Sequence, residues 1–509
     1  MNTTTKQSIK TPLAKKSFFS EFSKDYSLPD YQPEIKRLLK ISANVLPPKM
    51  DFGMDDAIFT GNVDYYVLYL GVDNQMYCAP ISDEYAISMP LENTQMGEYF
   101  DGFVDITPDN ISGRVTAPRK VTIRSKLKTA AAVFANFASN ETFSDSIGED
   151  SIEKLSGEVN SAEIQRVLSD NVTVTDEIIL DTRDGDVRVI CADGKVMLTE
   201  VGGNNNEMLL RGDAYVKILA CREDAGDIYV IQRKLPVFAS VPMNGADSSA
   251  TLFAKGAVNE LSVIVDEGRI SLELGVVFDC MSSKNVPVGY TKDMYSTACQ
   301  TRCEYRNYDV VNVLGGGNCN FTSNEARTLE ELGISEGSRF VDASGIPYID
   351  NVDLEDMRLK FSGRIKYNVL LENGGEYTAK EIEIPFVFSC ENKYGKNDTF
   401  ASADIVSTKG KIDGERISLD SEIALSYKMY NKEKISSLEA LHFGEAVSDN
   451  QKQTVVIFPS DEESVWSLAK KYCVSPERII KSTHDTAKHL SSIELDDPKG
   501  LASVHHIII

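Results

Sequence analysis

One stretch of eleven residues occurs three times and decides the fold that the sequence predicts. It reads FTGNVDYYVLY at residues 59–69, LRGDAYVKILA at residues 210–220 and FSGRIKYNVLL at residues 361–371. The shared glycine recurs at a constant spacing of 151 residues in this chain of 509 residues. Because chance rarely gives the same large offset twice in matching patterns, we interpret the stretches as copies of one duplicated unit.

Each copy alternates apolar and polar side chains. In the third copy, Phe361, Ile365 and Tyr367 fall on one face, whereas Arg364 and Lys366 fall on the other. Successive side chains of a β-strand point to opposite faces, so this period of two predicts a half-buried strand. The shared glycine indicates a bulge or a close approach of the neighbouring backbone.

Two further elements recur after this strand in the second and third copies. The first contains a proline, at residues 235–236 and 384–385, and proline cannot donate a hydrogen bond to a neighbouring strand. It therefore predicts an edge strand or the start of a strand. The second follows a glycine turn, at residues 268–272 and 414–419. Short strands joined by turns predict a mainly β fold built from antiparallel sandwich-like units.

The repeats and a change in the sequence pattern near residue 450 divide the chain into five segments. We predict a disordered N-terminus over 1–27, β modules over 28–170, 171–322 and 323–447, and a C-terminal domain over 452–509. The N-terminus is predicted to be disordered because it is rich in lysine and polar residues.

The C-terminal segment predicts a small α+β domain. Residues 454–458 form an apolar strand pattern, and Val465, Leu468 and Tyr472 follow at helical spacing. Ser464 is the expected N-cap of this helix, because its hydroxyl accepts a hydrogen bond from the first turn. A second helix is expected to begin at residues 475–476, where Ser475 precedes a proline. With a last strand at 504–509, the predicted order is strand, helix, helix, strand.

Charge and composition exclude several classes of protein. The net charge of −24 disfavours binding to nucleic acid or to anionic membranes, because like charges repel. No apolar run approaches the ~20 residues of a membrane-spanning helix, and no secretory leader is visible at the N-terminus. The nine scattered cysteines are then expected to be reduced thiols in the cytoplasm.

The sequence offers no convincing catalytic or metal-binding residue. Residues 333–337 match the G-x-S-x-G pattern of a nucleophilic serine, but LEEL precedes them instead of an apolar strand. Cys299, Cys303 and Cys319 lack the narrow spacing and the fourth ligand of a zinc site. We therefore predict no enzyme, no cofactor and no metal ion.

Two resemblances give a more specific hypothesis. The segment SVWSLAKKYCVSPERI (residues 464–479) resembles a LysM domain. LPDYQPEI (28–35), the strand around Gly61 and APRKV (117–121) resemble the SPOCS domain of sporulation proteins. Three such modules followed by LysM resemble the family of the SpoIVA-interacting protein SipL.

The resemblance implies a structural adaptor of endospore formation. Such a protein lies in the mother-cell cytoplasm and helps to tether or encase coat proteins around the forespore. Its implied partner is a spore coat morphogenetic protein such as a SpoIVA-like ATPase, without nucleic acid or an integral membrane segment. The alternative is a carbohydrate-binding protein that recognises N-acetylglucosamine polymers such as peptidoglycan through the LysM domain, although these glycans lie outside the cytoplasm.

The groove of the LysM family gives the candidate site residues. Carried over onto this sequence, its two loops contain Ser460, Asp461, Glu462, Ser482, Thr483 and His484. LysM domains usually carry asparagine at the position of Thr483, so the sequence departs from the usual glycan groove there. Trp466, the single tryptophan, is the seventh candidate. It could anchor a partner or pack at the edge of its own domain, and both interpretations stay open.

Overall fold

The computed structural model is mainly β, with several antiparallel sheets, as the sequence predicts. It describes residues 8–92, 99–138, 151–180, 186–223, 226–266, 268–395, 397–446, 455–460, 462–483, 494–501, 504 and 506–508.

Three repeats follow one another along the chain, and their strands have the same order. The strands of the first repeat are β1 (Ser8–Ser27), β2 (Ile35–Val45), β3 (Lys49–Phe52), β4 (Asp56–Gly71), β5 (Met76–Pro90), β6 (Tyr99–Ala117) and β7 (Lys120–Ala138). Those of the second are β8 (Ile152–Leu168), β9 (Val172–Ile179), β10 (Val187–Asn204), β11 (Glu207–Arg222), β12 (Ile228–Pro242), β13 (Thr251–Asp266) and β14 (Arg269–Ser296). Those of the third are β15 (Cys299–Thr328), β16 (Arg339–Glu355), β17 (Arg358–Asn373), β18 (Glu376–Glu391), β19 (Asp398–Asp413) and β20 (Arg416–Ala446).

Each repeat forms two antiparallel sheets from six strand positions. One sheet pairs the first, sixth and fifth positions, as in β15-β20-β19, and the other pairs the second, third and fourth, as in β16-β17-β18. The second position of the first repeat is split into β2 and β3, and the first position of the second repeat into β8 and β9. The buried side chains of both sheets of a repeat belong to one apolar cluster, so the two sheets share a core.

The first strand of each repeat changes the predicted segment boundaries. Residues 8–27 form β1, which pairs with β7 along its whole length, so the predicted disorder of residues 1–27 is wrong for this part. Phe18, Phe22 and Tyr26 pack against the core of the first repeat, and this burial stabilises the strand. Likewise, β8 pairs with β14 and β15 with β20, so the second and third repeats begin near residues 152 and 299. The predicted boundaries at 170/171 and 322/323 are therefore about 20 residues too late.

The proline and glycine predictions are confirmed in the sheets. The strands that contain Pro236 and Pro385 are the outer strands β12 and β18 of their sheets. Gly212 lies on the central strand β11 opposite Leu198, next to a bulge in β10. A Cβ atom at Gly212 would overlap the carbonyl oxygen of Met197, so the close approach of this backbone requires glycine.

We expect Gly212→Ala to lower the free energy of unfolding by about 1–3 kcal/mol, the usual effect of overpacking a core. The alanine side chain has no room beside the backbone of β10. Gly202→Ala is the matched control in the same sheet, because a Cβ atom there meets nothing within 4 Å. Urea denaturation of both variants measures the difference. Equal stabilities would show that the sheet relaxes around Gly212.

The three repeats pack around a common axis. The fourth strand position of each repeat contacts the second position of the next, in the pairs β5–β10, β12–β16 and β18–β2. The last pair closes the ring from the third repeat to the first. Leu68, Leu219 and Leu370, which are the same position in the three repeats, lie in one buried cluster at the axis. The repeats therefore form one continuous body.

The long strands extend this body into a stem. The ribbons β1–β7, β8–β14 and β15–β20 pack together through a buried cluster of aliphatic side chains. Its members are Ile9, Val159, Val288, Val310 and Ile435.

The C-terminal elements follow the predicted order of strand, helix, helix and strand. They are β21 (Val456–Ile457), α1 (Val465–Lys471), α2 (Pro476–Thr483), a short 3-10 helix (Pro498–Leu501) and β22 (Ile507–Ile508). The strands β21 and β22 pair in an antiparallel manner. These elements share a core with Leu155 and Tyr295 of the stem, so the C-terminal domain packs on the repeats.

Candidate partner-binding site

The first helix of the C-terminal domain begins as its sequence predicts. Ser464 is the N-cap of α1, and its hydroxyl accepts a hydrogen bond from the Ser467 N–H at 3.1 Å. The Ser464 N–H in turn donates to the Ser467 hydroxyl at 2.8 Å, which completes a reciprocal capping box. This cap fixes the point at which the preceding loop enters the helix.

The loop before α1 is ordered by Glu463. The carboxylate of Glu463 accepts a hydrogen bond from the Ser460 N–H at 3.0 Å and forms an ion pair with Lys471 at 3.2 Å. The bond from Ser460 and the charge of Lys471 hold the pKa of Glu463 below its ordinary value. Ser460 and Glu462 themselves are exposed, so their side chains are available to a partner.

The second predicted loop begins at the end of α2. Ser482 is exposed, and its hydroxyl donates a hydrogen bond to the Ile479 carbonyl at 3.1 Å. Thr483 is the last residue of α2, but its side chain lies outside the described part of the structure. Asp461 and His484 also lie outside the described residues.

Trp466 packs inside the molecule. Only 5% of its surface is exposed, and its ring meets that of Tyr295 edge to face with centroids 5.0 Å apart. Its indole N–H donates a hydrogen bond to Asp293 at 2.8 Å. The structure thus separates Trp466 from the exposed loop residues and places it at the junction between the C-terminal domain and β14.

Asp293 is the centre of this junction. Besides the indole, it accepts hydrogen bonds from Lys470 Nζ at 2.6 and 2.8 Å and from the Tyr305 hydroxyl at 2.6 Å. Burial alone would raise the pKa of Asp293, but the hydrogen bonds from Lys470, Trp466 and Tyr305 outweigh it and lower the pKa. One half-buried carboxylate therefore joins α1 to the strands β14 and β15.

Two more contacts hold the C-terminal domain beside Asp293. The Tyr295 hydroxyl donates a hydrogen bond to the Val474 carbonyl at 2.6 Å, and Lys292 pairs with Asp496 at 2.8 Å. Asp293 and Tyr295 could not be found from the sequence, because they lie 173 residues or more from their partners in the C-terminal domain and form part of a strand end without a motif.

Acid is expected to release the C-terminal domain. A carboxyl whose pKa is lower in the folded state stabilises that state above its ordinary pKa of 3.8. This contribution is lost as the pH falls below 3.8 and through the lowered pKa of Asp293. Trp466 reports the change, since it is the only tryptophan. We expect its emission to shift to the red in this acidic range, and Asp293→Asn to remove that transition. An identical acid transition in the variant would assign the change to other carboxyls.

A second polar region lies at the axis of the three repeats. A cavity of about 200 Å³ is lined by the second and fifth strand positions of all three repeats. Two groups of charged side chains lie in this region. In the first, Asp342 pairs with Lys217 at 3.0 Å and lies 4.0 Å from Lys40, so each repeat contributes one charge. In the second charged group, Lys255 pairs with Asp105 at 3.0 Å and with Asp404 at 2.7 Å, and again each repeat contributes one residue.

The pKa values of the two lysines of the Asp342 group shift in opposite directions. Burial lowers the pKa of Lys40, because Asp342 lies too far away to compensate fully. Burial also opposes the charge of Lys217, but the nearby Asp342 and Asp193 raise its pKa overall. Asp342 is therefore the residue on which the charge balance of this group depends.

In the described part of the chain, no helix is long and apolar enough to cross a membrane, and no three His, Cys, Asp or Glu side chains are grouped to hold a metal ion. No family model, curated protein or solved structure matches the chain. Its fold and site define a three-repeat, mainly β protein that carries a small C-terminal domain on its stem.

Proposed function

We propose that this chain is a non-enzymatic adaptor of endospore formation. Three SPOCS-type modules form its body, and a LysM-type domain binds a spore coat morphogenetic protein such as a SpoIVA-like ATPase. In this role the chain tethers or encases coat proteins around the forespore from the mother-cell cytoplasm. The proposal rests first on the resemblance of residues 464–479 to LysM and of residues 28–35 and 117–121 to SPOCS.

The observation that carries the adaptor role is the division of the C-terminal domain into a buried and an exposed part. Trp466 and Lys470 donate hydrogen bonds from their polar groups to Asp293 of the stem. Ser460, Glu462 and Ser482, in the loops that correspond to the LysM groove, are exposed. The domain can therefore present these loops while it stays fixed to the three repeats, which is the property that a tether requires.

The exposed loops also end next to an apolar side chain. Phe458 is 76% exposed, and it lies between β21 and Ser460. An exposed aromatic residue with polar neighbours is typical of a protein-binding surface, in which aromatic anchors contribute much of the binding energy. The exposed Phe458 therefore supports the proposal that this surface binds a protein partner.

Localisation during sporulation tests the proposal. We expect a fluorescently tagged chain to surround the forespore, and Ser460→Arg with Ser482→Arg to disperse it, because both substitutions place a bulky cation in the proposed binding loops. Ser17→Arg is the matched control, since Ser17 is exposed on β1, outside the C-terminal domain. A dispersed wild-type chain, or one that ignores the loop substitutions, would contradict the proposal.

A further inference from the structure

Two cysteines from different repeats meet at the axis of the molecule. Cys78 on β5 belongs to the first repeat and Cys191 on β10 to the second, and their sulfur atoms are 3.0 Å apart. Both are free thiols. They lie at the edge of the buried cluster that contains Leu68, Leu219 and Leu370.

This thiol pair is specific to one of the three contacts between repeats. In the ladders, Cys78 faces Leu68, and the corresponding partners of Leu219 and Leu370 are Val230 and Ala379. On the other side, Cys191 faces Leu219, whereas Lys40 faces Leu68 and Asp342 faces Leu370. The fold thus builds the same contact three times, and only the one between the first and second repeats brings two thiols together.

We propose that Cys78 and Cys191 form an oxidation site at which a peroxide links the first repeat to the second by a disulfide bond. The Cys78 thiol donates its hydrogen bond to the Cys191 sulfur, which leaves Cys191 as the attacking atom. The Cys191 sulfur gives up its proton and attacks one oxygen of hydrogen peroxide, the O–O bond breaks, a sulfenic acid forms, and the leaving hydroxide takes up the released proton as the first water. The Cys78 sulfur then displaces the sulfenic oxygen as the second water, and the S–S bond forms. Two thiols are oxidised and one peroxide is reduced to two waters.

The surroundings of the pair determine which oxidants can act. The hydrogen bond to Cys191 and burial raise the pKa of Cys78, so this group remains a thiol at neutral pH. Both cysteines are half-buried, so a reagent as small as hydrogen peroxide can reach the pair. We therefore expect slow oxidation by peroxide.

The link changes the connection between repeats. It closes a loop of 113 residues and removes conformational freedom from the unfolded chain. The oxidised protein is expected to unfold at a higher temperature than the reduced protein. This inference is independent of the proposed adaptor function, since it needs neither a coat protein nor a glycan.

Peptide mapping of the full-length protein after peroxide treatment tests the site. We expect a disulfide-linked peptide that contains Cys78 and Cys191, together with a higher unfolding temperature that dithiothreitol reverses. Cys191→Ala should abolish both, and Cys221→Ala, the matched control in the same cluster, should retain both. Circular dichroism confirms that each variant is folded, and Cys78→Ala repeats the test if Cys191→Ala is not.

Two results would overturn the inference. Cys78 and Cys191 could both remain available to an alkylating reagent after peroxide treatment, which would make them a packed thiol pair only. Alternatively, either cysteine could be linked mainly to another residue, such as Cys221, which would place the reactive pair elsewhere.

Discussion

Asp342→Ala is expected to lower the free energy of unfolding by about 3–5 kcal/mol, because it leaves buried cations without their partner. Asp342 is buried and supplies the carboxylate that pairs with Lys217 and faces Lys40. Without it, two cations from different repeats remain at the axis with less compensation. Both lysine side chains are at most 20% exposed, so water screens the remaining charges only in part.

Urea denaturation at neutral pH measures this loss. Asp350→Asn serves as the control, because Asp350 is exposed on the same strand β16, and a surface substitution usually changes stability by less than about 0.5 kcal/mol. Replacing Asp342 and Lys217 together by apolar residues should restore much of the stability, because an apolar pair leaves only Lys40 to be desolvated. A loss below about 1 kcal/mol in Asp342→Ala would show that the axial charges do not hold the repeats together.

Asp293→Ala is expected to detach the C-terminal domain, at a cost of about 3 kcal/mol to the docked state. The substitution removes the acceptor of Trp466, Lys470 and Tyr305 in one step. Since the carboxylate is only 16% exposed, water does not fully replace the hydrogen bonds that the three donors lose. The three repeats should keep their own cores, which do not include Asp293.

Trp466 makes this release measurable without a label. In Asp293→Ala we expect a red shift of the tryptophan emission and greater quenching by acrylamide, while the far-ultraviolet circular dichroism stays that of a β protein. Asp496→Asn is the control, since the Lys292–Asp496 pair is about one-third exposed and should contribute at most about 1 kcal/mol. Unchanged emission in Asp293→Ala would mean that apolar packing alone holds the domain.

The sequence predicts those parts of the fold that depend on neighbouring residues. The alternation of residues 361–371, the prolines of the outer strands and the Ser464 cap are all local patterns, and the structure confirms them. The first strand of each repeat could not be predicted because its partner is the last strand, which in the first repeat lies about 90 to 130 residues further along the chain. A signal was present, since Phe18, Phe22 and Tyr26 fall on one face of a strand, but the nearby lysines favoured a disordered terminus.

The contacts between repeats could not be predicted by comparing the copies. Lys40, Cys191 and Asp342 occupy the same ladder position in the three repeats, but their chemistry differs completely. Such positions look like unimportant variation in a repeat alignment, whereas the fold brings them to one axis. Trp466 illustrates the same limit, because its partner Asp293 becomes visible only when the C-terminal domain is docked on the stem.

Direct binding by the purified full-length chain tests the central claim of the adaptor proposal. Isothermal titration is carried out with a purified SpoIVA-like coat ATPase and, in a parallel experiment, with an N-acetylglucosamine hexamer. The proposal predicts saturable binding of the ATPase that Ser460→Arg with Ser482→Arg abolishes, and no heat from the glycan. Binding of the glycan without binding of the ATPase would contradict the proposal and favour the carbohydrate-binding alternative.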